Sequence, residues 1–120
     1  MKKILLVADE PSIARLVQFK LAKEGFDVTP KRNGREALEW LEDNKPDLIL
    51  LDVMMPEMDG MEVLRQLKED DSLKHIPVIM LSAKGQRSEI ERCLASGAAD
   101  YIVKPFSPAK IIERVNALIK

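Results

Sequence analysis

Polar side chains follow four short apolar segments of the sequence, at the point where each segment ends. Two of these ends carry carboxylates: Asp9 with its neighbour Glu10 and, much later in the chain, Asp52. A hydroxyl, Ser82, ends the third segment, and an ammonium group, Lys104, ends the fourth. If these segments are parallel strands, their carboxyl ends share the edge at which open α/β sheets bind ligands. The sequence therefore predicts that these distant residues converge in one site.

This combination of groups suits phosphoryl transfer. Carboxylates crowded at one edge repel one another unless a cation neutralises them, and a hard divalent ion such as Mg²⁺ binds to few carboxylates plus water. An aspartate can attack phosphorus and carry an acyl phosphate when the charge on the phosphoryl oxygens is compensated. Lys104 offers a point charge to one phosphoryl oxygen, and Ser82 offers a short hydrogen-bond donor to another. We expect the chemistry to depend mostly on positioning and electrostatics.

Each of these side chains, taken alone, has a plainer explanation. Asp9 and Glu10 could favour the positive end of a helix that begins near Pro11. Ser82 could be a turn residue, and Lys104 could be a solvated surface charge. The prediction of a site therefore depends on the convergence of all of them.

Five apolar segments have the character of strands buried on both faces of a parallel sheet, because their hydrophobicity is nearly continuous rather than alternating. They span residues 4–7, 48–51, 78–81 and 101–103, with a weaker segment around 27–29. Segments whose apolar residues recur at helical spacing separate these strands. Strands that alternate with helices pair in parallel through right-handed crossovers. The pattern therefore predicts an α/β fold in which helices cover both faces of one sheet.

The ends of the predicted helices carry matching signals. Gly25 and Gly97 lie where a left-handed residue would end a helix, and Ser107 followed by Pro108 is typical of an N-cap and first helical position. Asn33 precedes a glycine, a pair that can form a hairpin turn, but the helical period that follows it favours the start of a helix.

Length and composition limit the classes of protein that fit. The 120 residues are 46% hydrophobic and 32% charged, which is neither a disordered nor a membrane-embedded composition, and we expect one domain over residues 1–120. The net charge of −1 predicts no general affinity for nucleic acid. A single cysteine, Cys93, excludes an internal disulfide, is expected in the core, and fits a reducing cytoplasm. No apolar stretch is long enough to span a bilayer, and we expect a cytoplasmic protein without a membrane contact.

The motifs at the strand ends resemble those of the receiver domains of bacterial two-component response regulators. They are VADEP at 7–11, DVMMP at 52–56 with MDG at 58–60, LSA at 81–83 and YIVKPF at 101–106. The resemblance covers the whole chain from Lys3 to Lys120. It implies a doubly wound, flavodoxin-like sheet of five parallel strands in the order 2-1-3-4-5, flanked by five helices.

The resemblance also implies a role for each acidic residue of the site. Asp52 would accept a phosphoryl group from a sensor histidine kinase, in a reaction that needs Mg²⁺. Asp9, Asp52 and the backbone carbonyl of Met54 would hold the metal ion, with Glu10 nearby. Such a domain catalyses only its own phosphorylation and dephosphorylation, so it is not an enzyme in the usual sense.

Signalling is expected to pass through Ser82, as the family resemblance implies. Ser82 and Lys104 would contact the phosphoryl group, and movement of the Ser82 hydroxyl would leave space into which Tyr101 turns. The output face would comprise the helix around Ile90, the strand at Tyr101 and the last helix. It would dock a downstream protein or a fused output domain. The resemblance further implies a cis peptide between Lys104 and Pro105.

One residue departs from the family pattern: Ala8 stands where receivers usually carry a second acidic residue beside Asp9. The departure leaves open an alternative function, an interaction module that works without phosphorylation. An aspartate-nucleophile phosphatase is a weaker rival, because such enzymes carry an acid two residues after the nucleophile, where this chain has Met54. The kinase, its stimulus and the output target are not predicted.

The expected oligomeric state depends on a second departure from the family pattern. Asp100 and Arg114 lie on the predicted output face and could pair across a homodimer. Ala99 and Lys110 replace acids that are common in dimerising receivers. We therefore expect a monomer or a weak homodimer.

Overall fold

Five strands alternate with five helices in the computed structural model, which describes residues 1–55, 58–82, 86–104 and 107–119. The elements are β1 (Lys3–Val7), α1 (Pro11–Lys23), β2 (Asp27–Lys31), α2 (Gly34–Leu41), β3 (Leu48–Asp52), α3 (Gly60–Glu69), β4 (Val78–Ser82), α4 (Arg87–Ala95), β5 (Asp100–Val103) and α5 (Pro108–Ile119).

The strands form one sheet in the order β2-β1-β3-β4-β5, and all four pairings are parallel. The predicted fold class is therefore confirmed. The strand β2 lies on one side of β1, and β3, β4 and β5 follow on the other side. The carboxyl ends of β1 and β3 therefore lie side by side, with Val7 opposite Leu51. This reversal of strand order creates the crevice in which open α/β folds place their ligands.

Both faces of the sheet are buried. Along β1, Leu5 and Val7 pack into a core shared with α2, α3 and α4, whereas Ile4 and Leu6 pack into a second core shared with α1 and α5. Successive residues of a strand point to opposite faces, so two covered faces require a continuous apolar run. Cys93 is fully buried in the first core, as expected.

The predicted helix ends are confirmed. Gly25 and Gly97 have φ angles of 92° and 107°, the left-handed region that glycine adopts without strain. The side chain of Asn33 accepts a hydrogen bond from the backbone of Glu36, so this residue caps α2 and does not form a hairpin. The Ser107 hydroxyl likewise accepts from the backbone N–H of Lys110 at the start of α5.

The strand β2 is longer than predicted. It continues beyond Thr29 through Pro30 to Lys31, and Lys31 pairs with Val7. Proline lacks the N–H group that a central strand would need, but β2 lies at the edge of the sheet, where such a residue is tolerated. Over the described parts of the chain, no helix combines the length and the apolar character that crossing a membrane requires.

Candidate functional site at the carboxyl edge of the sheet

An ion pair between Asp52 and Lys104 lies at the centre of the site. Asp52 is the last residue of β3 and is 1% exposed, and Lys104 follows β5. The Nζ atom of Lys104 donates a hydrogen bond to Oδ2 of Asp52 over 2.8 Å, so the lysine side chain reaches across the intervening strand β4. The backbone of Lys104 is fixed in turn, because its N–H donates to the carbonyl of Ser82 over 2.7 Å.

The carboxyl group of Asp52 is only partly compensated. Burial raises its pKa, and the hydrogen bond and charge of Lys104 oppose that shift without cancelling it. The backbone N–H of Met54 also opposes it by donating to Oδ1 over 3.2 Å. The negative charge of Asp9 raises the pKa of Asp52 further, as the smallest of these influences. A further cation at this edge would therefore stabilise ionised Asp52.

Ser82 is the neighbour of Asp52 on the next strand. It ends β4, is fully buried, and follows Leu81, which pairs with Asp52. The Ser82 side chain forms a hydrogen bond with the phenol of Tyr101, which lies on β5 and packs against the first core. Burial raises the pKa of Tyr101, and this hydrogen bond lowers it. The predicted switch residues are thus in direct contact.

The start of α3 packs closely against the end of β3. The N–H of Gly60 donates to the carbonyl of Val53 over 2.8 Å. A Cβ atom on Gly60 would lie 2.9 Å from Cα of Val53, and closer still to the carbonyl oxygen of Asp52. Only a residue without a side chain fits this approach. The motif at 58–60 indicated this loop, but no sequence pattern predicted the close approach of Gly60 to the backbone of Asp52.

The other predicted metal-site residues are more exposed. Asp9 lies in the loop after β1, Glu10 is the N-cap residue of α1 without a side-chain capping bond, and Met54 is 56% exposed. Among the described residues, no group of three or more histidine, cysteine, aspartate or glutamate side chains is arranged to hold a metal ion. Asp9 and Asp52 still offer two carboxylates, and Mg²⁺ binds to one or two carboxylates plus water, so the donor set fits this ion.

Asp100 and Arg114, which were considered as a pair across a homodimer, form an ion pair within the single chain described here, since Nε of Arg114 donates to Oδ2 of Asp100. Pairing of these residues between two chains stays a prediction. The proposed cis peptide before Pro105 lies outside the described residues.

Comparison with known proteins agrees with this geometry. The family model for the response regulator receiver domain matches residues 4–116. The alkaline phosphatase synthesis transcriptional regulatory protein PhoP of Bacillus subtilis (strain 168) is 45% identical over 119 residues, which cover 99% of this chain and 49% of that protein. The transcriptional regulatory protein SrrA of Staphylococcus aureus (strain NCTC 8325 / PS 47) is 46% identical over 118 residues, which cover 98% of this chain and 48% of that protein.

The fold comparison gives the same result. The solved receiver domain of the Francisella response regulator 1452 superimposes with a TM-score of 0.93 at 37% identity, covering 99% of this chain and 97% of that one. The chain spans about half the length of the curated relatives it matches. On the matched residues and the shared fold, the chain belongs to the response regulator receiver domain family.

Proposed function

We propose that this receiver domain accepts a phosphoryl group on Asp52 from a sensor histidine kinase and uses it to change a protein-docking face. The observation that carries the proposal is the buried ion pair of Asp52 with Lys104, in which the pKa of the carboxyl group stays raised. A solvated structural aspartate needs neither burial nor a lysine that reaches across a strand. A nucleophile that must meet an anionic phosphoryl group needs both.

The residues of the site have distinct roles in this proposal. One oxygen of Asp52 forms the new bond to phosphorus as the bond between phosphorus and the donor's imidazole nitrogen breaks. Lys104, already at hydrogen-bond distance, moves its bond to a phosphoryl oxygen and offsets the added charge. The Ser82 hydroxyl donates to another phosphoryl oxygen. Hydrolysis of the acyl phosphate returns the domain to its resting state, so it catalyses only reactions of its own side chain.

Mg²⁺ fits this site as a cofactor. Asp9, Asp52 and the backbone carbonyl of Met54 would hold it, with Glu10 nearby. When bound, the ion would neutralise the repulsion between the two carboxylates and the phosphoryl oxygens. The raised pKa of Asp52, caused mainly by burial and to a smaller extent by the charge of Asp9, supports this proposal, because Lys104 alone does not fully stabilise the ionised carboxyl group.

The signal leaves the site through Ser82. Its hydrogen bond to Tyr101 couples the phosphoryl position to β5, and a Ser82 hydroxyl that turns to a phosphoryl oxygen must give up that bond. The released Tyr101 then repacks, and the populations of the conformations of the face formed by α4, β5 and α5 shift. We propose that this face docks a downstream protein or a fused output domain, and the length of the curated relatives favours the fused form.

Two further expectations belong to the proposal. Residues 1–120 would act as one receiver domain in the cytoplasm, the compartment in which the buried free thiol of Cys93 stays reduced. The receiver itself would touch neither nucleic acid nor membrane, and it would be a monomer or a weak homodimer. The relatives are named as transcriptional regulators, so any contact with DNA would belong to an output domain.

Intact-protein mass spectrometry tests the proposal. Wild-type protein and Asp52→Asn are incubated with acetyl phosphate, with and without Mg²⁺. We expect the wild type to gain one phosphoryl group only when Mg²⁺ is present, and Asp52→Asn to gain none. A wild type that stays unmodified at saturating Mg²⁺ would instead support an interaction module that works without phosphorylation.

A further inference from the structure

A groove of about 430 Å³ lies between α1 and the end of β2, beside the candidate site. Ala8 and Asp9 form one end of it. Arg15 and Gln18 line it from α1, and Lys31 and Arg32 line it from the end of β2. This volume is within the range of sites that bind small molecules.

The groove is strongly cationic, although the whole chain has a net charge of −1. Three basic side chains, Arg15, Lys31 and Arg32, line it against one carboxylate, that of Asp9. The nearby Glu36 accepts a hydrogen bond from the backbone N–H of Arg32 over 3.3 Å, and no ion pair joins it to the guanidinium of that residue. The groove therefore carries an excess of positive charge.

The arginines of the chain divide into two groups. Five of the seven form ion pairs with carboxylates of the same chain: Arg35 with Glu39, Arg65 with Glu62 and Glu69, Arg87 with Glu91, Arg92 with Glu89, and Arg114 with Asp100. Arg15 and Arg32 have no carboxylate partner among the described residues, and both line this groove. The two guanidinium groups are thus available to an anion from outside the chain.

The remaining lining is apolar. Ala8, Pro11, Ala14 and Pro30 contribute carbon surface, so the groove offers contact to an organic group as well as to a charge. The departure at Ala8 has a physical consequence here. An acidic side chain at this position would add a second negative charge to the groove and weaken its attraction for an anion.

The groove adjoins Asp52 through the backbone of the sheet. Ala8 donates its N–H to the carbonyl of Lys31 over 3.1 Å. On the other side, Val7 pairs with Leu51, so Ala8 and Asp52 are the next residues along two neighbouring strands. The Ala8 end of the groove is therefore one strand away from Asp52, at the same edge of the sheet.

We propose that the groove binds small organic phosphates and in this way concentrates a low-molecular-weight phosphodonor next to Asp52; the second part rests on the proposed function. With acetyl phosphate, an oxygen of Asp52 forms the bond to phosphorus as the bond from phosphorus to the acetate oxygen breaks. Acetate leaves with the electron pair. Arg15 and Arg32 act here as binding residues, because they hold the donor and do not react.

Binding is measured first, by amide chemical shifts of Asp52→Asn titrated with phenyl phosphate in magnesium-free buffer, so that neither phosphorylation nor a metal ion contributes. We expect the largest shifts at Arg15, Gln18, Lys31 and Arg32, weaker binding of inorganic phosphate, and none of phenol. Adding Arg15→Gln and Arg32→Gln should weaken binding of phenyl phosphate about tenfold or more, because two charge-assisted contacts are lost. Arg35→Gln is the matched control, since Arg35 is exposed and already paired with Glu39. The charge-retaining pair Arg15→Lys and Arg32→Lys should recover most of the affinity.

The rate of Asp52 phosphorylation is then measured against acetyl phosphate concentration at saturating Mg²⁺. In the double glutamine variant we expect the concentration for half-maximal rate to rise about tenfold and the maximal rate to stay unchanged.

Shifts centred on Asp52 and Lys104, unchanged affinity in the double variant, or an unchanged half-maximal concentration would each overturn the proposal. A wild type that takes up no phosphoryl group at any donor concentration would refute the proposed function instead. Tighter binding of an acidic peptide than of phenyl phosphate would assign the groove to a protein partner and overturn the small-molecule proposal.

Discussion

Lys104 Nζ lies 2.8 Å from Oδ2 of Asp52, although Asp52 ends β3 and Lys104 follows β5, two strands that are separated by β4. The pairing does not bring the pKa of Asp52 down to its ordinary value, because burial of the carboxyl group outweighs the attraction of one ammonium group. The ionised form of Asp52 is therefore held in the folded protein at a cost in stability.

The pH dependence of folding follows from this shift. Because the pKa of Asp52 is higher in the folded than in the unfolded chain, its contribution to stability is fully present below the unfolded value of 3.8 and is lost as the pH rises through the folded value. Asp52→Asn mimics the protonated carboxyl group. We expect its melting temperature to exceed that of the wild type at pH 7, with a gap that narrows as the pH falls.

The control for this measurement is Asp43→Asn, which changes an exposed carboxylate in the turn after α2. Its melting temperature should follow that of the wild type across the same pH range. A difference in melting temperature between Asp52→Asn and the wild type that stays constant or widens in acid would contradict the raised pKa of Asp52.

A glycine near the site gives a prediction about packing. The Cβ of Gly60→Ala would meet the backbone of Asp52 and Val53, which cannot move without displacing the end of β3. We expect it to lower the free energy of unfolding by about 1–3 kcal/mol, as overpacking does. Gly34→Ala is the matched comparison at the start of another helix, since its Cβ would meet the side chain of Val63 at 2.5 Å.

Urea unfolding of the two glycine variants decides the point. A side chain can change its conformation more cheaply than a strand can shift, so Gly34→Ala should be the milder substitution. Equal losses in the two variants would mean that the approach of Gly60 to Asp52 is not a rigid constraint.

The contact between Ser82 and Tyr101 can be tested without phosphorylation. The chain has one tyrosine, so its absorbance change at high pH reports on this residue alone. Since the Ser82 hydrogen bond lowers the pKa of Tyr101 and burial raises it, Ser82→Ala should move that pKa further up. In the same variant, a phosphoryl mimic bound at Asp52 should change amide exchange in α4, β5 and α5 less than it does in the wild type.

If the amide-exchange changes in the wild type were confined to the residues around Asp52, Tyr101 would not transmit the signal. Ser88→Ala, on the exposed first turn of α4, is the matched control and should leave both the titration and the exchange pattern unchanged.

Restoring an acid at position 8 should strengthen the metal site. Losing an outer-shell partner of a bound ion typically costs about 10–100-fold in affinity, so we expect Ala8→Asp to tighten Mg²⁺ binding by up to that factor. Without metal the same variant should melt at a lower temperature, because Ala8 is buried and its replacement adds a third carboxylate near Asp9 and Asp52. Magnesium titration of both proteins checks the first effect. An unchanged affinity would mean that residue 8 does not face the ion.

Much of this architecture could be predicted from the sequence, because buried parallel strands require continuous apolar runs and a polar residue marks the end of each run. Asp52, Ser82 and Lys104 were located in this way. The continuation of β2 to Lys31 was not predicted, because a proline such as Pro30 commonly ends a strand. Only the strand order shows that β2 lies at the edge of the sheet, where a proline is tolerated. The sheet order itself came from the family resemblance.

Contacts between side chains were the harder part. The sequence did not indicate that Gly60 contacts the backbone of Asp52. A glycine shows that its own position lacks a side chain, but not which neighbouring atoms occupy that space. The partner of Arg114 was likewise open, because pairing within one chain and pairing between two chains use the same residues. In the single chain described, Arg114 pairs with Asp100 of the same molecule.

We propose that Asp52 itself carries the phosphoryl group. Borohydride reduction converts an aspartyl phosphate to homoserine, which peptide mass spectrometry can locate. After incubation with acetyl phosphate and Mg²⁺, we predict homoserine at position 52 and at no other aspartate. Homoserine at Asp9 or elsewhere, or unconverted Asp52 in a protein that has gained a phosphoryl group, would contradict the account.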